Sequence, residues 1–480
     1  MNGHRCSMDI PPLDLTGLAH LFRLLPRRGL QSLFAVIVFL LYGSSPVEAE
    51  NNVPTPQSFA TAAEAVRFAL ENNPDTAITR QRMAAAQAAI TEAHASFFPQ
   101  LDLSASYGRT NTPLYSFGNI LNQAAFDESI NFNDPGETDN LNMAATVSYR
   151  LYNGGRDQAG VDIAIASETA SRHELEIVHS QLSFEVVKTI CTIVQAKENL
   201  DARKSALQAI TASVEVARSR YEAGDLLKAD LLNLEVHRSE AEENLIHARH
   251  ALDLTNRAFL NLLGLEQGDI SIHSAGTMEQ SLPADLSYDR RPELKAMDAA
   301  IQAAEAGVRQ AEGGYFPTAD AFAGYQVDRG YELDGSGNSW IAGAKLNFNL
   351  FAGQRTSAQV ARAIALLAEK IQERRKMVLA ISLEVEQASL ALQQAEQRMQ
   401  VTAKMLEQAK ESANLSRERF KEGIILSSEL IDVENRLTES MVRGTLARAA
   451  RRIAVANLRK ATGLGQFDLA EVNGTSLSGS

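Results

Sequence analysis

Aromatic side chains are scarce in this chain, at 6% with a single Trp, and few prolines interrupt its long middle runs. Ala, Leu, Glu, Gln and Arg dominate there instead. At 480 residues the chain has room for two or three ordinary globular domains, but this bias belongs to long helices or coiled coils. Basic excess is also lacking. The net charge is −13, so no basic surface is available to neutralise phosphates, which argues against nucleic acid as a partner. Cysteine is nearly absent. Of Cys6 and Cys191, the first falls in an expected export leader, which leaves one thiol and no internal disulfide. Cys191 lies in a helical run and reads as a small buried apolar residue.

Long apolar runs are missing outside residues 30–42. That run, Arg27-Arg28 before it and Val47-Glu48-Ala49 after it read as a signal peptide over residues 1–49. The leader holds four Arg against Asp9, Asp14 and Glu48, so the chain without it carries about −14 (−13 − 1). No other stretch reads as a transmembrane helix. An exported chain of this kind is periplasmic, secreted, or an outer-membrane β-barrel.

An internal repeat is present instead. Residues 151–265 overlay residues 350–464 with a constant shift of 199 (350 − 151) and no gap. Gly154 falls on Gly353, Arg156 on Arg355, Glu185 on Glu384, Arg220-Tyr221 on Arg419-Phe420, Gly224 on Gly423, and Gly264 on Gly463. An insertion in a long packed helix would rotate its apolar face away, so the constant shift implies rods of equal length. A unit this long, occurring twice, is a duplicated architecture rather than a solenoid. The expected organisation is a leader (1–49), a first repeat (50–265), a linker (266–290), a second repeat (291–465) and a polar tail (466–480).

Within each repeat the period changes in a fixed order. Residues 58–98 have helical spacing, with a restart at Asn73-Pro74 and a stop at Phe98-Pro99. Alternation then begins: Leu101, Leu103, Ala105 and Tyr107 against Asp102, Ser104 and Ser106. A long polar loop follows. A second alternating run places Met143, Ala145, Val147 and Tyr149 on one face. Such alternation fits a lipid-facing, water-lined barrel strand, or equally the edge strand of a soluble sheet. Asn153-Gly154-Gly155 turns the chain into a helix expected over 156–222, about 100 Å long. A coiled-coil seam runs through Leu207, Ile210, Val214, Ala217 and Tyr221. After Gly224 a shorter helix returns and ends at Gly264. The second repeat has a helix over 292–313, strands over 319–327 and 341–350, and the same long hairpin. Its second strand places Ala342, Ala344, Leu346, Phe348 and Leu350 on one face. Asp334-Gly335-Ser336-Gly337-Asn338 reads as a turn, since the carboxylate and helices of a calcium loop are missing. The return helix and the short helix together nearly equal the long descent, so the two should stack with the linker at their junction.

This order resembles the TolC-type outer-membrane efflux and secretion channel family over the whole chain after the leader. The residues that carry the resemblance are Phe98-Pro99 and Phe316-Pro317, Leu151-Tyr152-Asn153-Gly154-Gly155 and Leu350-Phe351-Ala352-Gly353. The tips Arg220-Tyr221-Glu222-Ala223-Gly224 and Arg419-Phe420-Lys421-Glu422-Gly423 complete it. The resemblance implies an α+β membrane protein. In it a homotrimeric twelve-stranded β-barrel, four strands per chain, continues into a helical coiled-coil tunnel in the periplasm. It implies an exit duct for small molecules or polypeptides, in a tripartite pump or type I secretion system, working with a periplasmic adaptor and an inner-membrane transporter. Four strands cannot close a barrel alone, and lipid does not tolerate open edges. The competing reading is a periplasmic coiled-coil adaptor or scaffold without a pore, which the alternating strands disfavour.

No catalytic constellation appears, and no enzyme activity, metal or cofactor is expected. Glu243, His247 and His250 share a helix face, but without further ligands they read as a solvated surface. Glu429 and Asp432 follow the second tip at i and i+3, and Asp230 and Asn233 are their first-repeat counterparts. In the family resembled, acidic residues here line the periplasmic entrance. This chain has Glu at 429 where Asp is commoner. The tips, including Tyr221, Gly224, Leu226, Leu227, Phe420, Gly423, Ile424 and Ile425, are expected to dock the adaptor. Met143, Val147, Tyr149, Leu346 and Phe348 are expected to face lipid. Arg417 or Arg419 is a candidate for holding the entrance closed.

Overall fold

In the computed structural model, residues 59, 61–268 and 280–467 are described. The expected leader, Cys6, part of the linker and most of the tail lie outside them. The described chain runs α1 (Ala62–Asn72), α2 (Pro74–Ala95), β1 (Gln100–Thr110), α3 (Pro113–Asn122), β2 (Thr138–Tyr152), α4 (Arg156–Glu222) and α5 (Lys228–Leu262). It continues through α6 (Pro292–Glu312), β3 (Thr318–Arg329), β4 (Ser336–Asn347), α7 (Arg355–Lys421) and α8 (Ser427–Ala461).

The two long helices are each 67 residues and the two return helices each 35 residues. At 1.5 Å per residue the descent is about 100 Å and the return about 52 Å. The remainder is covered by α2 and α6, but the stacking differs from the sequence reading. Here α2 stacks end to end on α5 and α6 on α8, each within its own repeat, so the linker does not sit at a junction of α5 with α6. The junction is built the same way twice. Asn73, the N-cap of α2, donates from Nδ2 to the Leu262 carbonyl at 2.9 Å. Arg291, the N-cap of α6, donates from Nη1 to the Ala461 carbonyl at 3.1 Å. Each helix end thus has its orphan carbonyls satisfied by the next helix. Gly264 lies so close that a Cβ there would stand 2.5 Å from the Asn72 carbonyl oxygen. Buried Arg291 also forks onto Glu293 at 2.8 Å and reaches Glu384 at 3.0 Å.

Apolar side chains collect along the rods in three clusters. One joins α1 to α4 and the end of α5 through Val66, Val187, Ile190, Phe259 and Leu263. A second joins α6, α7 and α8 through Leu294, Ile381, Val385 and Leu458. The third lies at the hairpin tips. One 18-residue stretch of α4 does reach membrane-like mean hydropathy, 1.2, contrary to the sequence reading. Its length of helix includes Leu182, Val186, Val187, Ile190 and Ile193, which are buried, so its apolar character serves the core. Cys191 sits there too. Burial pushes its thiol up to about 11, which keeps it an unreactive thiol at neutral pH.

The strands form one antiparallel sheet in the order β1-β2-β3-β4. Register puts Leu101, Val147, Ala323 and Ala342 in one row, and Asp102, Thr146, Gly324 and Ile341 in the next. Since paired residues share a face and neighbours alternate, one face is apolar and the other mainly polar. Neither face is covered along most of its length, and β1 and β4 have free outer edges. Three details differ from the sequence reading. The final strand begins earlier, at Ser336, and ends at Asn347, so Phe348 lies just past the strand rather than in it. The turn accordingly spans Gly330–Gly335, which Gly330 closes by donating to the Gly335 carbonyl at 2.9 Å. Inside the long β1–β2 loop, α3 forms where only polar loop was expected. Pro113 supplies its first helical position, and Ile120 its buried anchor.

Candidate functional site: the hairpin tips and the strand belt

Both hairpins turn on a glycine in the left-handed region, Gly224 (φ 83°) and Gly423 (φ 74°). The two tips of one chain are joined side by side. Ile210, Val214, Ala217, Leu231 and Leu234 of the first pack on Phe420, Leu430 and Ile431 of the second. Arg220 fastens them, donating to the Phe420 carbonyl at 2.8 Å while its guanidinium lies 5.4 Å from the Phe420 ring centre. It also reaches the Asp225 carbonyl at 3.3 Å. A second fastener is Ser427, whose hydroxyl donates to Asp230 at 2.6 Å.

This geometry sorts the expected tip residues. Leu227 is 72% exposed, Ile424 69% and Leu426 62%. Tyr221, Gly224 and Gly423 are exposed as well. Leu226 and Ile425 are half-buried against the tip cluster. Phe420 does not reach the surface. It is 2% exposed and shapes the tip from within, because Arg220 covers it. The exposed apolar end is therefore Leu227, Ile424 and Leu426, an apolar patch on a polar rod.

Glu429, Asp432 and Asn233 are exposed on the return helices, and Asp230 is half-buried by its bond to Ser427. Arg417 does not reach Glu429 or Asp432. Its guanidinium instead grips Glu434 with two hydrogen bonds, and Glu434 is buried. Glu434 raises the pKa of Arg417 further above its already high ordinary value. Arg218 and Glu235 make the same contact in the first hairpin at 3.1 Å. These carboxylates were missed in the sequence, although an Arg and a Glu separated by 17 residues occur in both repeats. Among the described residues no group of three or more His, Cys, Asp or Glu is arranged to hold a metal. His247 is highly exposed and lies 3.6 Å from Glu243.

On the sheet, Met143, Val147, Tyr149 and Leu346 stand exposed on the apolar face. Tyr325 and Trp340 face each other across β3 and β4 on that same side, as aromatic residues do near a membrane boundary. Phe348 is exposed beyond the strand end.

An amphipathic sheet with open edges, carried on paired helical hairpins, is the build of an outer-membrane channel with a helical extension. The chain belongs to the outer membrane efflux protein family, whose model matches residues 65–265 and 284–464. It is thus an outer-membrane efflux channel protein rather than an enzyme, with its helices on the periplasmic side. It is 24% identical over 416 residues to the pyoverdine export outer membrane protein OpmQ of Pseudomonas aeruginosa, covering 83% of this chain and 84% of that protein. It is 23% identical over 310 residues to the fusaric acid resistance protein FusA of Burkholderia cepacia, covering 61% of this chain and 56% of that protein. The fold matches the Campylobacter jejuni CmeC outer membrane channel with TM-score 0.73 at 16% identity, covering 90% of this chain and 93% of that one.

Proposed function

We propose that three copies of this chain form a closed duct that docks a periplasmic adaptor and passes cargo from an inner-membrane transporter to the exterior. One observation carries the reading: the chain is incomplete at matching places. In the second repeat, α6 packs against both long helices, α4 and α7. Its first-repeat counterpart α2 packs along α4 alone among them. By the repeat's own symmetry, the missing neighbour of α2 is α7 of another copy. The free edges of β1 and β4 ask for the same partner, since lipid tolerates no unpaired strand edge. Three chains of four strands give twelve.

The two tips present Leu227, Ile424 and Leu426 to the adaptor, and Glu429 and Asp432 ring the entrance. Two relatives are named for pyoverdine export and fusaric acid resistance. On that ground small-molecule efflux is the reading, ahead of polypeptide secretion. The domain plan that goes with it is the leader, two structural repeats, the linker between them and the tail.

The test replaces Leu227, Ile424 and Leu426 together with Asp. Heat-modifiable trimers should still form in the outer membrane, while export and tip-to-adaptor cross-linking are lost. Normal export by this variant would remove the docking assignment. Absence of a trimer in the unmodified protein would remove the duct.

A further inference from the structure

The loop between β1 and β2 folds inward. The helices all leave the sheet at one end, so residues 111–137 and the Gly330–Gly335 turn lie at the other, outer end. Gly337 is register partner to Asp328, which accepts hydrogen bonds from Asn140 and Asn142 on the mainly polar face. A Cβ on Gly337 would stand 2.1 Å from the Asn122 carbonyl oxygen. The end of α3 therefore sits on that polar face, the one that lines water in a barrel. Asn119 donates to the Thr138 hydroxyl at 3.0 Å, and Ser116 to the Gly136 carbonyl at 2.6 Å. Gln123, 1% exposed, donates to the Asp139 carbonyl at 2.6 Å. Asp139 in turn accepts from the Tyr331 and Glu332 amides. Gln123 thus pins the loop to its own strand and lies against the opposite turn at Gly330.

The side of α3 turned away from the sheet is apolar. Leu114 is 78% exposed, Tyr115 67% and Leu121 52%, while Ser116 and Ile120 are buried. Behind them Phe117 packs on Phe132 at 4.3 Å between ring centres. A twelve-stranded barrel with strands about 4.8 Å apart and tilted about 40° is about 24 Å across. Three inward-lying helices, each about 10 Å thick, come into contact across such a mouth.

We propose that the three α3 helices meet at the threefold axis and close the outer mouth with an apolar constriction. The ridge of Leu114, Tyr115 and Leu121 on each copy is covered by the same ridge on the other two. The inference rests on the trimeric duct reading. Such a constriction resists water and ions by dewetting, independently of the carboxylate ring at the other end of the duct.

The test reads the outer mouth alone. Ala144→Cys places a thiol on the polar face below the constriction. Cys191 is buried and serves as a silent background. A bulky, membrane-impermeant maleimide is added to whole cells, with heat-modifiable migration confirming the trimer. With α3 unaltered, labelling should be slow; with Leu114→Ser and Leu121→Ser added, it should become markedly faster. Leu114→Cys, in a chain otherwise unaltered, should give trimer-sized products with a short bis-maleimide. Fast labelling of Ala144→Cys in an intact trimer, with no Leu114→Cys cross-links, overturns the constriction and leaves the duct standing. Failure to form a trimer at all overturns the duct reading itself.

Discussion

Arg417 and Glu434 form a two-pronged ion pair across the second hairpin, Nε to Oε1 at 2.5 Å and Nη2 to Oε2 at 2.7 Å. The equivalent pair in the first hairpin, Arg218 and Glu235, makes one contact at 3.1 Å and is more exposed on both sides. Equal positions in the two repeats therefore carry unequal weight. Arg417→Ala leaves a buried carboxylate unpaired, at a cost of about 1–3 kcal/mol. Arg218→Ala costs under about 1 kcal/mol. Thermal unfolding of the trimer in detergent should separate the two variants. Equal losses would show that the bidentate pair does not brace the tip.

The carboxylate ring has its own expected outcome. Glu429 and Asp432 are exposed, and in the proposed trimer their three copies would place six carboxylates at the entrance, which favours cations over anions. Glu429→Gln with Asp432→Asn should weaken cation preference and block by multivalent cations in planar bilayers, with insertion unchanged. Wild-type selectivity in that variant would place the constriction elsewhere.

The sheet faces differ in what they tolerate. Val147→Arg or Leu346→Arg puts a charge against lipid at a cost of about 2–4 kcal/mol near mid-barrel. Thr146→Arg, one residue along and on the polar face, should assemble at near-normal yield. Outer-membrane trimer yield is the measurement. Similar yields for Val147→Arg and Thr146→Arg would reverse the facing.

His179 gives the helical region a pH dependence. Burial lowers its pKa, Arg80 lowers it further, and Glu176 opposes them; its Nε2 is buried without a hydrogen-bond partner. The unfolded chain takes up a proton near pH 6.5, whereas the folded chain does so only at lower pH. Stability is therefore full above about 6.5, falls as pH drops below that value, and levels off once the folded-state value is passed. His179→Gln should show a smaller loss of melting temperature between pH 8 and pH 5. An unchanged loss would exclude His179 as the cause.

Much of this protein was written in its one-dimensional order. Helical spacing and glycine placement located both long helices, because an apolar seam sustained over many turns has one workable conformation. Alternation located the strands and their apolar face, because a side-chain period of two has only two faces to choose from. The export leader and the domain plan rest on sequence alone, since residues 1–49 lie outside the described structure. Strand ends were less legible. Phe348 continues the alternation but falls beyond Asn347, since pairing with β3 stops at Thr318.

Only the tertiary structure decided which residues meet across the repeats. Phe420 reads as a tip residue, yet Arg220, 200 positions away in sequence, covers it. Arg417 reads as a gate lock, yet it pairs with buried Glu434, two residues beyond Asp432 on the same return helix, rather than with the expected ring. The packing of α3 against the end of the sheet was illegible for the same reason. Gln123, Gly330 and Gly337 are distant in the chain, and their contact depends on four strands first settling into register. Local period fixes an element and its faces. Which elements come together is settled by packing, where residues far apart in sequence compete for one partner.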